Sequence, residues 1–458
     1  MEDMKNGKRS SFSGKLGYVL AAAGASVGLG NIWRFPYLAA KYGGGIFLII
    51  YIVLALTFGY TMIVAETAIG RMTRKSPVGA FKSFGKKKWL SFGGWINAVI
   101  PVLIVPYYSV IGGWVIKYLV EYFRGNAKLL AEDGYFTDFI SNGVSTELCF
   151  VAFCAFTLII IFAGVQNGIE RVSKIMMPIL IVLSVIIAVY SVTRPGALAG
   201  VKYFLVPNVK NFSWMTVVSA MGQMFYSLSI AMGILITFGS YMKKDTAIED
   251  STRNVEVFDT GIAIMAGLMI IPAVFAFSGG DPNTLQAGPS LMFITIPKVF
   301  QNMGFGTVIG IVFFLLVLFA AVTSSIALTE SAVSTFEDEL GWGRKKATVL
   351  VGVIMLVLGS LSSLGYGPLA EIKIIGMQFL DLFDFLTNSV MMPIAALLTS
   401  LLVSRVVGID KIEEEIIHGE SAFRRKKVFV VMIKYLCPVF AIIILLSSVA
   451  NALGWIKM

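Results

Sequence analysis

Residues 23–31 read Ala23-Gly24-Ala25-Ser26-Val27-Gly28-Leu29-Gly30-Asn31, and residues 227–233 read Ser227-Leu228-Ser229-Ile230-Ala231-Met232-Gly233. Each run interrupts helix-forming apolar sequence near the middle of a stretch long enough to cross a bilayer. Lipid offers no hydrogen bond to a free N–H or C=O, so irregular backbone survives at that depth only inside protein or beside a polar cavity. Glycine-interrupted spans placed correspondingly in two halves of a membrane chain mark the binding site of a secondary transporter.

Working outward, the chain has 458 residues, of which 57% are hydrophobic and only 14% charged, with mean hydropathy +0.82. Soluble domains carry roughly 25% charged residues. Apolar runs recur along nearly the whole length and predict eleven spans near 17–41, 43–70, 90–122, 147–165, 172–192, 213–241, 258–278, 302–332, 347–364, 377–403 and 429–454. The fold class expected is an all-α polytopic membrane protein, and no cleavable signal peptide is expected ahead of the first span. Residues 1–16 precede a ten-helix core over 17–403, whose halves are helices 1–5 (17–192) and 6–10 (213–403); 404–458 hold a charged loop and an eleventh helix.

The net charge of +10 is informative by position. Lys5, Lys8, Arg9 and Lys15 precede the first span, and Arg71, Arg74, Lys75, Lys82, Lys86, Lys87 and Lys88 fill the loop after the second. Cations recur in every second loop, through Arg171 and Lys174, Lys243 to Arg253, Arg344 to Lys346, and Arg424 to Lys427. The alternate loops carry acidic Glu132, Asp133, Asp138 and Asp281. The positive-inside rule puts the N-terminus in the cytoplasm, and eleven crossings put the C-terminus outside a cell (inner) membrane. These cations flank spans rather than form a stripe, which excludes nucleic acid as a partner. Cys149, Cys154 and Cys437 fall in or beside apolar spans, so no disulfide is expected. One histidine, His418 in the charged loop Lys411–Lys427, leaves no catalytic triad and no His/Cys metal cluster, so no enzyme is read here.

The run Gly28-Leu29-Gly30-Asn31-Ile32-Trp33-Arg34-Phe35-Pro36-Tyr37 followed by Gly43-Gly44-Gly45 resembles the neurotransmitter:sodium symporter family, in particular its bacterial amino-acid transporters. The likeness continues through Glu66 to Arg71, Tyr107-Tyr108-Ser109, Gly168 to Lys174, Gln223 to Ser229, Thr323 to Ala327 and Phe336 to Leu340. It implies a LeuT-type fold, two inverted five-helix repeats plus an eleventh helix, without the twelfth helix of eukaryotic members. It also implies alternating access in the lipid bilayer, with sodium carried as a co-substrate.

An unwound helix presents carbonyl oxygens without intrahelical partners, and hard cations take oxygen ligands. The resemblance places one sodium ion on the carbonyls of Gly24, Val27 and Ala320 with the hydroxyls of Thr323 and Ser324. A second would use the Ser26 carbonyl, the Asn31 side-chain oxygen, Ser227 and a group from helix 7. There the bacterial leucine-transporter pattern has Asn, whereas this chain offers Asp259 after a one-residue shift counted from Pro272. An intramembrane carboxylate is costly and marks function by default. Either Asp259 supplies fixed negative charge, so that chloride is not required, or it sits solvated at the cytoplasmic end near Arg253 and Glu256.

Monoamine members carry Asp where this chain has Gly28, so Gly28 favours a substrate that brings its own carboxylate. That group would meet a half-helix N-terminus and the Tyr108 hydroxyl. The ammonium would meet carbonyls at Ala25 and Tyr226 and the region of Ser227 and Ser229. The side-chain pocket is expected from Ile104, Tyr108, Tyr226, Ser229, Met232, Ala327 and Leu328, all uncharged, which disfavours acidic or basic substrates. Leucine-like and aromatic substrates both remain open. Outer-gate residues implied are Arg34, Gln223 and Asp384 above Tyr226; Arg9, Tyr241 and Asp338 are the inner ones. The reading is a sodium-coupled importer of neutral, hydrophobic L-amino acids with two sodium ions. A sodium-coupled carrier of a biogenic amine or other small zwitterion is the alternative.

Overall fold

In the computed structural model, residues 10–279, 288–452 and 455 are described, and all structural statements concern them. The loop acid Asp281 and the expected gate residue Arg9 lie outside them. Nine helices are individually long and apolar enough to cross a membrane: α2 Gly45–Thr73, α3 Lys88–Phe123, α4 Gly143–Phe162, α5 Val165–Val192, α7 Ile248–Ser278, α8 Gly306–Leu340, α9 Arg344–Leu364, α10 Phe379–Val407 and α11 Lys426–Asn451. Numbered in sequence with them are two broken helices. α1 is Lys15–Ser26 with Gly30–Lys41, bent by 53°. α6 is Trp214–Ser227 with Ile234–Ser240.

Neighbour relations repeat when helix numbers are shifted by five. α1 packs on α7 as α6 packs on α2; α3 lies on α4 as α8 lies on α9; α5 meets α8 as α10 meets α3. Five crossings are an odd number, so the second half enters the membrane from the opposite side and the repeat is inverted. Both broken helices thus come to the centre, where irregular backbone is enclosed by protein. Gly43, Gly44 and Gly45 serve loop packing: a Cβ on Gly44 would sit 2.2 Å from the Tyr203 carbonyl oxygen, and one on Gly45 2.6 Å from Val206.

Several helices outrun their apolar runs, because hydropathy registers the bilayer and not the end of the hydrogen-bond ladder. α7 starts at Ile248, ten residues ahead of the expected 258; α8 continues to Leu340 and α10 to Val407. The extension of α7 is held from below. Glu420 accepts from the Glu249 (2.6 Å) and Asp250 (3.2 Å) amides in its first turn. Glu249 in turn accepts from the amides of Arg424 (2.8 Å) and Arg425 (2.9 Å) and from the Tyr60 hydroxyl (2.9 Å).

Arg71 is a correction to the loop-charge reading. It belongs to α2, has no exposed surface, and pairs with Glu415 at 2.6 Å while donating to the Thr246 and Glu415 carbonyls. Glu415 lies on the short helix Ile409–Ile417, within what the sequence suggested was simply a charged loop. A tertiary partner 344 residues distant along the chain is invisible to local charge counting. All three cysteines are free thiols.

Candidate functional site: an oxygen-lined centre between two broken helices

The break in α1 leaves Val27 to Leu29 outside regular helix, and α6 unwinds over 228–233. In the second break Ser229 (φ 52°) and Ala231 (φ 58°) adopt the left-handed conformation that glycine takes most readily. The segment is tied down on both sides. The Ser229 hydroxyl donates to the Ala25 carbonyl (2.9 Å), and the Ala231 amide donates to Glu66 Oε1 on α2 (2.7 Å).

Asp259 is fully buried in mid-molecule, not solvated near Arg253. The Asn31 amide donates to its Oδ1 at 2.8 Å, and the Ser227 hydroxyl lies 2.9 Å and 3.1 Å from its two oxygens. The Tyr51 hydroxyl lies 2.9 Å from both Asp259 Oδ2 and Ser227 Oγ. Tyr51 was not anticipated: one tyrosine within an apolar run carries no local signal. The side-chain oxygen of Asn31 takes the Gly28 amide at 3.2 Å, and the Ser26 hydroxyl turns to the Ala22 (3.1 Å) and Leu228 (3.4 Å) carbonyls. Four helices, α1, α2, α6 and α7, therefore converge on one carboxylate.

A second oxygen cluster lies where α1 meets α8. Ser324 Oγ is 3.2 Å from the Gly24 carbonyl, 3.2 Å from that of Ala25 and 3.4 Å from that of Val27. The Thr323 hydroxyl lies 3.2 Å from the Ala320 carbonyl. A Cβ on Gly24 would meet Thr323 Cβ at 3.1 Å, so glycine there is what permits the two helices to approach. Among the described residues no group of three or more His, Cys, Asp or Glu is placed to hold a metal ion. What the two clusters offer is carbonyls, hydroxyls and a single carboxylate, a donor set for hard cations rather than soft transition metals.

Between the clusters is a cavity of about 30 Å³, lined by Ala25, Ser26, Gly28, Leu29, Gly30, Asn31, Ile104, Tyr108, Tyr226, Ser229, Met232, Ser324 and Leu328. Of the pocket residues expected, Ser227 and Ala327 do not line it. Ser227 is engaged with Asp259, and Ala327 is buried off the cavity. The Tyr108 hydroxyl accepts the Leu29 amide at 3.3 Å, at the N-terminus of the outer half of α1. A volume of about 30 Å³ admits about two waters, so the pocket is contracted around its own side chains.

Above it opens a second cavity of about 460 Å³, to which Arg34, Tyr107, Asp381 and Asp384 contribute. Tyr226 lines both, which makes its ring the partition. The Arg34 guanidinium stands 5.4 Å over that ring. Asp384 accepts from Asn388 (2.6 Å) and Tyr107 (3.2 Å), and among the described residues no ion pair joins it to Arg34. Gln223 donates to the Gly30 carbonyl at 3.0 Å. On the opposite side the path is filled. Phe12 is buried edge-on against Tyr18, Phe238 and Tyr241, and its amide donates to the Tyr241 carbonyl at 3.0 Å. The Tyr241 hydroxyl donates to Glu330 (2.7 Å), which also holds Arg344 at 2.6 Å, and Asp338 accepts the Ser76 amide at 2.6 Å.

With this geometry in hand, the likeness to known proteins is specific. A protein of Bacillus subtilis named as an uncharacterized sodium-dependent transporter is 34% identical over 450 residues, spanning 97% of this chain and 99% of its own. One of Methanocaldococcus jannaschii with the same description is 31% identical over 428 residues, covering 89% of this chain and 84% of its own. The human sodium- and chloride-dependent GABA transporter 2 is 26% identical over 475 residues, covering 89% and 75%. The crystal structure of MhsT in complex with L-phenylalanine superposes with a TM-score of 0.86 at 34% identity, over 96% of this chain and 100% of that one. The profile of the sodium:neurotransmitter symporter family matches residues 9–130 and 138–455. These matches span the broken helices and every cluster described above, and the chain belongs to the sodium:neurotransmitter symporter family, a family of transporters and not of enzymes.

Proposed function

We propose that this symporter imports neutral, hydrophobic L-amino acids together with two sodium ions. The observation that carries the reading is the central pocket: Ile104, Met232 and Leu328 form an apolar wall with no charged side chain, while Gly28 and Tyr108 face the N-terminus of a half-helix. A substrate carboxylate placed there neutralises the partial positive charge of that terminus. An acidic or basic side chain would lie unpaired against apolar surface. MhsT, which shares the fold at 34% identity, is described in complex with L-phenylalanine, and this supports a large apolar substrate.

One sodium ion occupies the cluster of Gly24, Val27, Ala320, Thr323 and Ser324; the other lies among Ser26, Asn31, Ser227 and Asp259 beside the substrate carboxylate. Substrate and ion then stabilise one another reciprocally, which is the coupling. Asp259 supplies fixed negative charge beside the ion, so the chloride dependence named for the human GABA transporter is not needed here. Arg34 and Asp384 close the outer path over Tyr226, with Gln223 beside them, and Arg9, Tyr241 and Asp338 serve as the inner gate. The N-terminus lies in the cytoplasm.

Uptake of radiolabelled amino acids into proteoliposomes tests this. An inward sodium gradient should drive accumulation that choline does not, with competition by leucine, phenylalanine or tryptophan and none by glutamate or lysine. Competition by biogenic amines instead would replace the substrate assignment while leaving the sodium coupling intact.

A further inference from the structure

The first turns of α3 carry a feature unrelated to transport. α3 has 36 residues, about 54 Å at 1.5 Å per residue, and so extends well beyond a hydrocarbon core of about 30 Å. Its start therefore lies at the level of the lipid headgroups. One face there is packed. A Cβ on Gly93 would stand 2.6 Å from the Phe81 ring and one on Gly94 2.8 Å from Val78 Cα, so the short helix Pro77–Lys82 lies tightly against it. The opposite face is bare: Phe92 is 56% and Trp95 40% exposed.

Immediately before them come Lys86, Lys87 and Lys88, all exposed and with no ion-pair partner among the described residues. Glu339 is paired with Lys82, on the short helix packed against α3, at 2.6 Å. Lys82 also stands 5.7 Å from the Trp95 ring, which fixes the indole beside the cationic edge. Three adjacent uncompensated cations above two exposed aromatic rings match the division of a phospholipid into anionic headgroup and acyl chain.

We propose that residues 86–95 form a docking surface for an anionic phospholipid of the adjacent leaflet, its phosphate on Lys86, Lys87 and Lys88 and its upper acyl chain along Phe92 and Trp95. The charge complementarity selects headgroup, and the aromatic face selects lipid over soluble phosphate. The assignment depends on the multi-pass membrane fold and not on the substrate proposed above.

The test follows Trp95 fluorescence of the full chain in mixed micelles containing phosphatidylglycerol or phosphatidylcholine brominated on an acyl chain, with W95F subtracted to isolate the one indole. Half-quenching is expected at about ten-fold lower mole fraction of the glycerol lipid, a preference abolished by about 1 M salt. K86Q/K87Q/K88Q, at exposed positions, should bring the two lipids within about two-fold while both still quench, showing that the aromatic face is intact. K345Q/K346Q, at the start of α9, should keep the preference. Equal quenching of the parent protein by both lipids would overturn the proposal, as would a preference surviving the triple substitution. Loss of the preference in K345Q/K346Q, or displacement of the lipid by inorganic phosphate, would overturn it too.

Discussion

Among the described residues Asp259 has no cationic side chain beside it, yet three neutral groups from three helices aim at its oxygens. A buried carboxylate held only by neutral donors is incompletely compensated, and under the proposed function a sodium ion would complete it. Asp259→Asn should therefore reduce sodium-driven uptake at least ~10-fold while the protein still folds, since the amide keeps the shape; unchanged sodium dependence in the uptake assay would remove the residue from the site. Replacing chloride by gluconate should leave wild-type uptake unaltered, and a collapse would reject the fixed-charge role. Tyr51→Phe deletes one donor to this cluster at almost constant volume. A lost hydrogen bond to a charged group is worth about 1.5–3 kcal/mol, so the sodium concentration for half-maximal uptake should rise at least about ten-fold. At Gly30 a methyl group would lie 2.3 Å from the Tyr226 ring. Gly30→Ala should thus weaken substrate binding by displacing the partition, read as a raised KM with sodium affinity little changed.

At the scale of elements, the two breaks differ in how they are held. The α1 break is glycine-rich, whereas the α6 break places Ser229 and Ala231 in left-handed backbone, at a cost on the order of 1 kcal/mol each that the surrounding contacts must offset. The segment 409–425 plays the corresponding part beneath α2, α6 and α7 through Arg71, Glu415, Glu420 and Glu249. Arg71→Met leaves the Glu415 carboxylate with Lys244 alone and strips two carbonyls of their donor. Removing one partner of a buried pair costs about 3–5 kcal/mol, so this variant should lose much of its thermal stability in detergent, whereas Lys82→Gln, at an exposed pair, should change it by under ~1 kcal/mol. Equal melting temperatures for the two variants would contradict this role of the segment 409–425.

For the molecule as a whole, the path is open on one side and filled on the other: about 460 Å³ above Tyr226, and the packed rings of Phe12, Tyr18, Phe238 and Tyr241 below. Val218 lines the open vestibule. A cysteine introduced there should react with a membrane-impermeant thiol reagent added from outside. Sodium with substrate should slow that labelling several-fold as Arg34 and Asp384 come together. Labelling indifferent to both would mean that these residues do not gate the path.

Much of this was legible in the residues. Apolar run length marks membrane helices, because each span must bury its own backbone hydrogen bonds within the bilayer thickness. Gly24, Gly28 and Gly30 with Asn31 marked the unwound centre, since such a break is tolerable only at a site. What local sequence did not carry were relations between distant helices. Tyr51 joins Asp259 only because α2 and α7 meet at α6. Arg71 appeared to be a loop cation until Glu415, 344 positions later, was folded beneath it. The contraction of the pocket, the separation of Arg34 from Asp384 and the turning of Ser227 away from the cavity are likewise outcomes of packing. The sequence by itself determined the membrane fold, the two breaks and the chemistry offered there, because those follow from periodicity, hydropathy and residue type. Only the tertiary structure decided which oxygens converge and which side of the path is open, because both depend on how helices from the two halves pack against each other.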